Sequence, residues 1–454
     1  MKKRPATVEE RREETHFQLA DALPPELLDI IFWYASEDKA TILACTLVSQ
    51  NWRGLALPYL FSAVEIAGHR SLGRFNDFSN FINMHPNIAR YVRRLELVGV
   101  SDTHQDTPYA TSLSSLAAVI TKLAGLRVLY LREVFFDSEP LSSSSSSFVF
   151  PRRLEKLTID FCNCQCREEE LMVFCLPALV GALQTFPADS VSLSYLLVAD
   201  ALPEDHRMAL IASTPSLVNV RDLILNRLDT AHRDDYDLGH ILDTLRQVLA
   251  QGCLRSLQAR PYTDSTYSKM AKKSLGVLLR HIGSTLQELA LPFLIRLPIP
   301  LTEDEPYGWD VIRLHECRNL QSFTIWLYPP ELRSSPESPG VYDYDDVPLS
   351  TVCIAIMAHL PPTLRIFTLG LCEDSDVEHI MLKEVGLEAL DDALSGHRFS
   401  SLEKVNIMMG STRDWDSDAF IDMDVCAQVT RKIMPRCAER GVLEIFEEPV
   451  SVGI

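Results

Sequence analysis

The sequence lacks any run of eighteen apolar residues, so we expect no helix that crosses a membrane. It is also poor in basic residues, with 43 lysines and arginines against 62 aspartates and glutamates and a net charge of −19 at pH 7. Nucleic acid is therefore not expected as a partner, because phosphate binding needs a basic surface. The basic start at Met1 to Arg4 leads into mixed charge and lacks the apolar segment of a secretory signal, which predicts a solvated, disordered tail over residues 1–19.

The common catalytic motifs are missing as well. No Gly-x-Ser-x-Gly elbow, Walker phosphate loop or His-Glu-x-x-His helix occurs. His232-Arg233-Asp234 imitates a kinase catalytic loop, but Gly239 stands where that loop needs a magnesium-binding Asn. We therefore expect no catalytic residue and no cofactor, and an enzyme hidden in the repeats described below is only a remote alternative.

The cysteines favour a reducing compartment over a metal site. Their number, eleven, is odd, which in a long chain without a signal indicates reduced thiols in the cytoplasm and/or the nucleus. Cys162, Cys164 and Cys166 could be read as zinc ligands, although ligand pairs normally have two to four intervening residues. Cys162 has a simpler role in the turn after a strand, so we expect no metal.

The chain contains an internal repeat past residue 66. Its unit is apolar-x-x-apolar-x-apolar, from Val92/Leu95/Leu97 to Leu402/Val405/Ile407. Most successive copies start 28 to 34 residues apart, and the last two intervals stretch to 44 and 38. Helical spacing between copies, as at Leu113, Leu116, Ala117 and Ile120, makes each repeat a helix, a turn and a strand. This predicts a solenoid whose strands are parallel, because each strand is reached through a crossover.

The predicted fold class is therefore α/β, with an all-helical N-terminal domain followed by a solenoid that has parallel strands inside and helices outside. The helical domain covers residues 20–60, a linker covers 61–84, and the solenoid covers 85–450. Two insertions interrupt the repeats: a serine-rich loop at 137–147 and a Pro-rich, acidic loop at 328–348.

The N-terminal domain carries short amphipathic helices that need an outside surface on which to pack. Pro24 or Pro25 suits a first helical turn, and Glu26 favours a helix N-terminus. The four residues that follow at i, i+3, i+4 and i+7 form one apolar face, and they are Leu27, Ile30, Ile31 and Tyr34. Ser49 is the predicted N-cap of a later helix that carries Trp52.

This pattern resembles the F-box, and the Leu57–Ile66 continuation is similar to many fungal members. An ordinary helical hairpin packed on the rest of the chain is the alternative. The resemblance implies a module that binds a Skp-type adaptor and, through it, a cullin–RING ubiquitin ligase. The implied adaptor-binding residues are Leu23, Pro24, Glu26, Leu27, Ile30, Ile31, Phe32, Leu47, Val48, Trp52 and Leu55.

The repeats resemble a degenerate leucine-rich-repeat horseshoe, since the Asn or Cys typical of its turn is present in only some copies, as at Cys162 and Cys372. Strand positions between the core residues should form a concave face that binds a target protein. The residues on it best suited to recognition are Tyr130, Asp160, Asn226, Arg260 and Trp326. The expected function is substrate recognition in an SCF-type ubiquitin ligase, and a non-degradative repeat scaffold is the alternative.

Overall fold

The computed structural model describes residues 23–67, 73–99, 110–136, 150–160, 162–164, 174–194, 196–199, 218–226, 229–230, 238–260, 269–294, 312–328, 354, 356–371, 386–409 and 423–447. The chain divides into a first unit, Met1–Gln165 with Gly181–Ala188, and a second unit, Cys166–Val180 with Asp189–Ile454. The predicted tail at 1–19 and the predicted insertions at 137–147 and 328–348, apart from Tyr328, lie outside the described residues.

The described residues form both helices and strands. The α-helices are α1 (Pro25–Tyr34), α2 (Lys39–Cys45), α3 (Gln50–Leu60), α4 (Gly73–Met84), α5 (Pro86–Ala89), α6 (Leu113–Ile120), α7 (Leu176–Thr185), α8 (Leu238–Val248), α9 (Lys269–Ile282), α10 (Leu387–Leu394), α11 (Met423–Ile433) and α12 (Pro435–Glu439). Short 3₁₀ turns cover Leu314–Glu316 and His397–Phe399.

Eighteen strands are described. They are β1 (Ala63–Ala67), β2 (Arg94–Val98), β3 (Ala110–Thr111), β4 (Val128–Arg132), β5 (Phe135–Phe136), β6 (Leu154–Asp160), β7 (Asn163–Cys164), β8 (Phe174–Cys175), β9 (Ala188–Ser194), β10 (Leu197–Ala199), β11 (Asp222–Asn226), β12 (Asp229–Thr230), β13 (Ser256–Arg260), β14 (Glu288–Leu294), β15 (Ser322–Tyr328), β16 (Ile366–Leu371), β17 (Lys404–Met409) and β18 (Leu443–Glu447).

In the first unit, β1, β2, β4 and β6 pair in parallel and in chain order. Leu95, Leu129 and Leu157 are neighbours across these strands, and all three are fully buried. The short strands β3, β5 and β7 form a second parallel set. The predicted parallel strands with buried repeat leucines are therefore confirmed in this unit.

In the second unit, the eight strands β9, β11, β13, β14, β15, β16, β17 and β18 also pair in parallel and in chain order. The central residue of the repeat is buried on successive strands, as at Leu257, Leu289 and Phe323, and again at Leu223 and Phe367. Short strands β8, β10 and β12 form a small parallel sheet of their own. The α/β prediction is therefore confirmed here as well, and in the first unit the helix predicted from Leu113 to Ile120 is present.

A repeated backbone contact sets the common register of the strands. The carbonyl of the residue before one strand accepts hydrogen bonds from two successive N–H groups at the start of the next. Arg93 O receives the N–H groups of Arg127 at 2.8 Å and Val128 at 3.0 Å, and Arg365 O receives those of Glu403 and Lys404 in the same way. Each strand start is thus tied to the previous one, and the alternation of buried and exposed side chains stays in phase.

The predicted linker at 61–84 is wrong. It contains strand β1, which pairs with β2, and helix α4. The apolar residues Val64 and Ile66 alternate with polar Glu65, as in a strand. The segment lacks the complete apolar-x-x-apolar-x-apolar unit by which the repeats were recognised. The parallel sheet therefore begins directly after α3, and the repeat region is longer than predicted.

A buried carboxylate ties two helices of the second unit together. Asp391 on α10 is 2% exposed and accepts hydrogen bonds from the backbone N–H groups of Arg436 at 3.0 Å and Cys437 at 2.8 Å. Met434, the N-cap of α12, supplies no side-chain acceptor of its own. Asp391 therefore caps a helix from a distance of more than forty residues in the chain.

We expect Asp391→Ala to lower the free energy of unfolding by about 2 to 3 kcal/mol, because it leaves buried N–H groups without their charged acceptor. The neighbouring Asp392→Ala is the matched control. Asp392 pairs with Arg436 at 2.6 Å, but both side chains are more than half exposed, so its loss should cost less than about 1 kcal/mol. Urea denaturation of the two variants measures the difference. Equal effects would contradict the capping role.

Candidate functional site

The N-terminal helical segment, α1 to α3, closes a small core of its own. Leu28 and Phe32 of α1, Ile42 of α2 and Ala56 of α3 are fully buried. Trp52 packs edge-on against Phe32, with the ring centroids 5.5 Å apart. Other apolar residues complete the shell of this cluster, namely Ala35, Cys45, Leu55, Tyr59 and Leu60.

Capping hydrogen bonds define the ends of these helices. Pro25 occupies the first turn of α1, as predicted. Ser49 is the N-cap of α3 and accepts a hydrogen bond from the Trp52 N–H at 3.2 Å, which confirms a second prediction. Asp38 caps α2 by accepting from Ala40 and Thr41, a role that the sequence analysis missed although an Asp before a helix is a recognised signal.

Polar contacts hold α3 against the other two helices. The Tyr59 hydroxyl donates to Asp29 Oδ1 at 2.5 Å, and burial together with this carboxylate raises the pKa of Tyr59 to about 12. Lys39 Nζ donates to the carbonyls of Tyr59 at 2.9 Å and Leu60 at 3.3 Å, at the C-terminal end of α3. Burial lowers the pKa of Lys39. The helical segment is thus fixed by internal contacts and needs no partner for its own core.

The opposite side of α1 carries large apolar side chains in solvent. Leu27, Ile30 and Ile31 are 48, 51 and 44% exposed, and Tyr34 continues their face. We call these four residues the α1 apolar surface. Trp33, beside it, is 61% exposed and lies edge-on to Tyr34. Leu43 of α2 and Leu47 in the following turn are exposed too. A cluster of this kind on one helix is typical of an interaction site.

The predicted adaptor-binding residues separate into two groups. The exposed ones are Leu23, Pro24, Glu26, Leu27, Ile30, Ile31 and Leu47. Phe32 is fully buried, so its predicted part in a contact surface is wrong. Trp52 packs edge-on against it, and Leu55 packs against the same buried cluster. Val48 is half-buried. Leu28 lies one helical turn before Phe32 and shares its burial, but α1 is apolar around most of its circumference, so the sequence alone does not tell which side faces inward.

Two of the predicted target-binding residues lie on the strands of the first unit. Tyr130 of β4 is half-buried between two cations, the Arg94 guanidinium 4.5 Å and the Lys156 ammonium 5.4 Å from its ring centroid. Asp160 of β6 is also half-buried and pairs with Arg132 at 3.6 Å. Burial raises the pKa of the Asp160 carboxyl. Both residues are partly accessible, so their predicted part in target binding remains a prediction.

The other three lie in the second unit. Asn226 of β11 is half-buried. Arg260 ends β13, and its side chain lies outside the described residues. Trp326 of β15 is only 2% exposed and clusters with Met408 and Phe446 of other strands. Its predicted place on an exposed face is therefore wrong: the ring lies against Gly370 of the adjacent strand, where the absence of a side chain makes room.

Gly370→Ala should lower the free energy of unfolding by about 1 to 3 kcal/mol, the usual cost of overpacking. A Cβ at this position would lie 2.3 Å from Cε3 of the buried Trp326 ring. The control is Gly54→Ala on α3, where nothing lies within 4 Å and the gain in helix propensity should stabilise the chain slightly. Thermal unfolding of both variants gives the comparison. A Gly370→Ala chain as stable as the wild type would show that the ring has room to move.

The cysteine cluster has a structural explanation. Cys162 is fully buried, and its thiol donates to the carbonyls of Leu131 at 3.3 Å and Asp160 at 3.4 Å, as expected for the turn after a strand. Burial raises the pKa of Cys162 to about 12, which keeps the thiol protonated. The side chain of Cys164 and the whole of Cys166 lie outside the described residues. Across the part of the chain that the structure describes, no group of three or more His, Cys, Asp or Glu side chains is arranged to hold a metal ion.

No protein-family model matches this sequence, and the search of curated proteins gives no match. In the described ranges, no helix has both the length and the apolar character needed to cross a membrane. The α1 apolar surface and the strand faces are therefore the features on which a function can be argued.

Proposed function

We propose that the chain is a substrate-recognition subunit of an SCF-type cullin–RING ubiquitin ligase. In this proposal the helical segment is an F-box that docks on a Skp-type adaptor, and the parallel strands present a leucine-rich-repeat-like surface to a target protein. The chain itself performs no chemistry. It supplies orientation and effective concentration of the target near the ubiquitin-loaded enzyme.

The α1 apolar surface is the single observation that carries the proposal. Its side chains are exposed although the helical segment already has a closed core, so they are not needed for folding. Burying Leu27, Ile30 and Ile31 against an apolar partner surface would contribute several kcal/mol, since full burial of one such side chain is worth about 1.5 to 3 kcal/mol. The resemblance of the segment to the F-box, which includes Leu23-Pro24 at its start and Val48-Ser49-x-x-Trp52-Arg53 at its end, makes a Skp-type adaptor the proposed partner for this surface.

The cysteines agree with a substrate-recognition subunit that acts in the cytoplasm or nucleus. Cys45, Cys253, Cys317 and Cys437, which the structure describes, form no disulfide. Free thiols persist where glutathione and thioredoxin keep cysteines reduced.

The test is co-purification of the full chain with a Skp-type adaptor and a cullin, followed by ubiquitylation of a captured partner. The proposal expects the adaptor and the cullin in the same complex, and ubiquitin on the captured partner. Capture of the adaptor without any ubiquitylated partner would favour the non-degradative scaffold, which uses the same α1 apolar surface. Failure to capture the adaptor would contradict both the substrate-recognition role and the scaffold role.

A further inference from the structure

Positive charge is concentrated at one edge of the first unit. The three turns that lead into β2, β4 and β6, residues 86–94, 121–127 and 150–156, contain one acidic residue, Glu155, and eight basic residues. The basic ones are Arg90, Arg93, Arg94, Lys122, Arg127, Arg152, Arg153 and Lys156. We call these three turns the basic edge. It stands out because the whole chain carries a net charge of −19.

The three turns lie side by side. The Arg93 carbonyl receives N–H groups from the start of β4, and the Arg127 carbonyl receives those of Glu155 and Lys156 at the start of β6. Gly125 of the second turn is so close to the first that a Cβ there would lie 2.3 Å from Arg90 O. The Arg152 guanidinium of the third turn donates to the carbonyl of Ala124. The cations therefore form one surface about 10 Å wide, since neighbouring strands are about 4.8 Å apart.

Most of these charges are available to solvent. Arg90, Arg93, Lys122, Arg127, Arg152 and Arg153 are exposed. Arg94 pairs with Glu96 and Arg127 with Glu155, each at 3.2 Å. Within the described ranges, Arg90, Arg93 and Lys122 form no ion pair with a carboxylate. Arg90 donates to the Tyr91 hydroxyl at 2.8 Å and lies over the Tyr91 ring, and Lys122 donates to Asn83 Oδ1 at 2.6 Å. These partners are neutral, so the positive charge remains available to a ligand with negative charge.

The turns before the strands of the second unit show no such excess. There, basic residues have acidic partners: Arg221 pairs with Asp189 at 3.7 Å, and Arg365 pairs with Glu403. Paired charges of this kind are common on strand ends and need no ligand. The contrast shows that a basic edge is not a general requirement of this repeat.

We propose that the basic edge binds a short acidic segment, rich in Asp and Glu, of a partner protein. A width of about 10 Å matches about three residues of extended chain at 3.3 Å each, so a few carboxylates are enough to engage Arg90, Arg93 and Arg127. A long polyanion such as nucleic acid fits less well, because its further charges would be repelled by the rest of an acidic chain.

The probe is a short fluorescent peptide of alternating glutamate and serine, titrated against the full chain by fluorescence anisotropy. The variant Arg90→Gln/Arg93→Gln/Arg127→Gln should bind it about tenfold more weakly, as expected for the loss of three exposed charge contacts. The same positions changed to Lys keep the charge and should bind close to the wild-type level. The matched control is Arg318→Gln/Arg431→Gln/Lys432→Gln, three exposed residues of the second unit, with binding unchanged. Added salt should weaken binding to the wild type more than to the first variant.

Three results would overturn the proposal: no peptide binding by the wild type, an equal loss in the control variant, or an oligonucleotide of the same charge that binds as tightly as the peptide. Thermal unfolding of each variant separates loss of binding from loss of fold. If the triple Gln variant were destabilised, the single variants Arg90→Gln, Arg93→Gln and Arg127→Gln would still decide, because each removes only one exposed charge. The proposal expects each of them to bind the peptide more weakly, and unchanged binding by all three would overturn it.

Discussion

The Ile31→Asp chain is expected to bind a Skp-type adaptor about a thousandfold more weakly than the wild type. Ile31 is 44% exposed, so the new carboxylate is hydrated in the free chain and leaves the fold intact. In the complex it would be buried without a partner, which costs several kcal/mol. Affinity capture of the adaptor by the two chains measures the effect.

Met84→Asp is the matched control for this experiment. Met84 ends α4, is 69% exposed and lies apart in sequence from the α1 apolar surface. Like Ile31→Asp, this variant replaces an exposed apolar side chain by a carboxylate. Adaptor capture should nevertheless be unchanged. If Ile31→Asp still captured the adaptor at the wild-type level, the α1 apolar surface would not be the docking site.

Phe32→Ala should also abolish adaptor binding, but by unfolding the helical segment. Phe32 is fully buried and contacts Trp52 edge-on, and removal of a buried phenylalanine costs about 3 to 5 kcal/mol. A core of only four buried residues should not remain folded after this loss of stability, so adaptor binding should be lost together with the helices. Limited proteolysis should then cut within α1 to α3 while the repeats stay resistant.

Leu27→Ala separates the two kinds of apolar residue on the same helix. Leu27 is 48% exposed, so its truncation should change the free energy of unfolding by less than about 1 kcal/mol while weakening adaptor binding. Equal destabilisation by Phe32→Ala and Leu27→Ala would contradict the division of α1 into a buried and an exposed side.

The repeat was predictable because its physical cause is local. A strand with one buried face needs apolar residues at every second position, and stacking of identical units makes that pattern recur. The first residue of the triplet is buried at Val92, Leu126, Leu320 and Leu402, as the spacing predicted. The strand at 63–67 was not counted as a repeat because it lacks the complete triplet, although its pairing with β2 follows the same rule.

The details of the candidate site depend on contacts that no local pattern contains. Trp326 stands at a strand position that the alternation assigns to the concave face. Gly370, more than forty residues later in the chain, leaves space for its ring, which is therefore buried. In α1, Phe32 and Ile31 are adjacent and equally apolar, and only the packing of α2 and α3 decides which of them is buried. The basic edge was missed for the same reason, since its charges come from three turns that meet only through strand pairing.

Titration calorimetry of the purified full chain with a purified Skp-type adaptor, repeated at several temperatures, tests the central claim most directly. The account predicts saturable binding of one adaptor per chain, with a negative heat-capacity change because the α1 apolar surface becomes buried. Absence of binding, or binding with a heat-capacity change near zero, would contradict it.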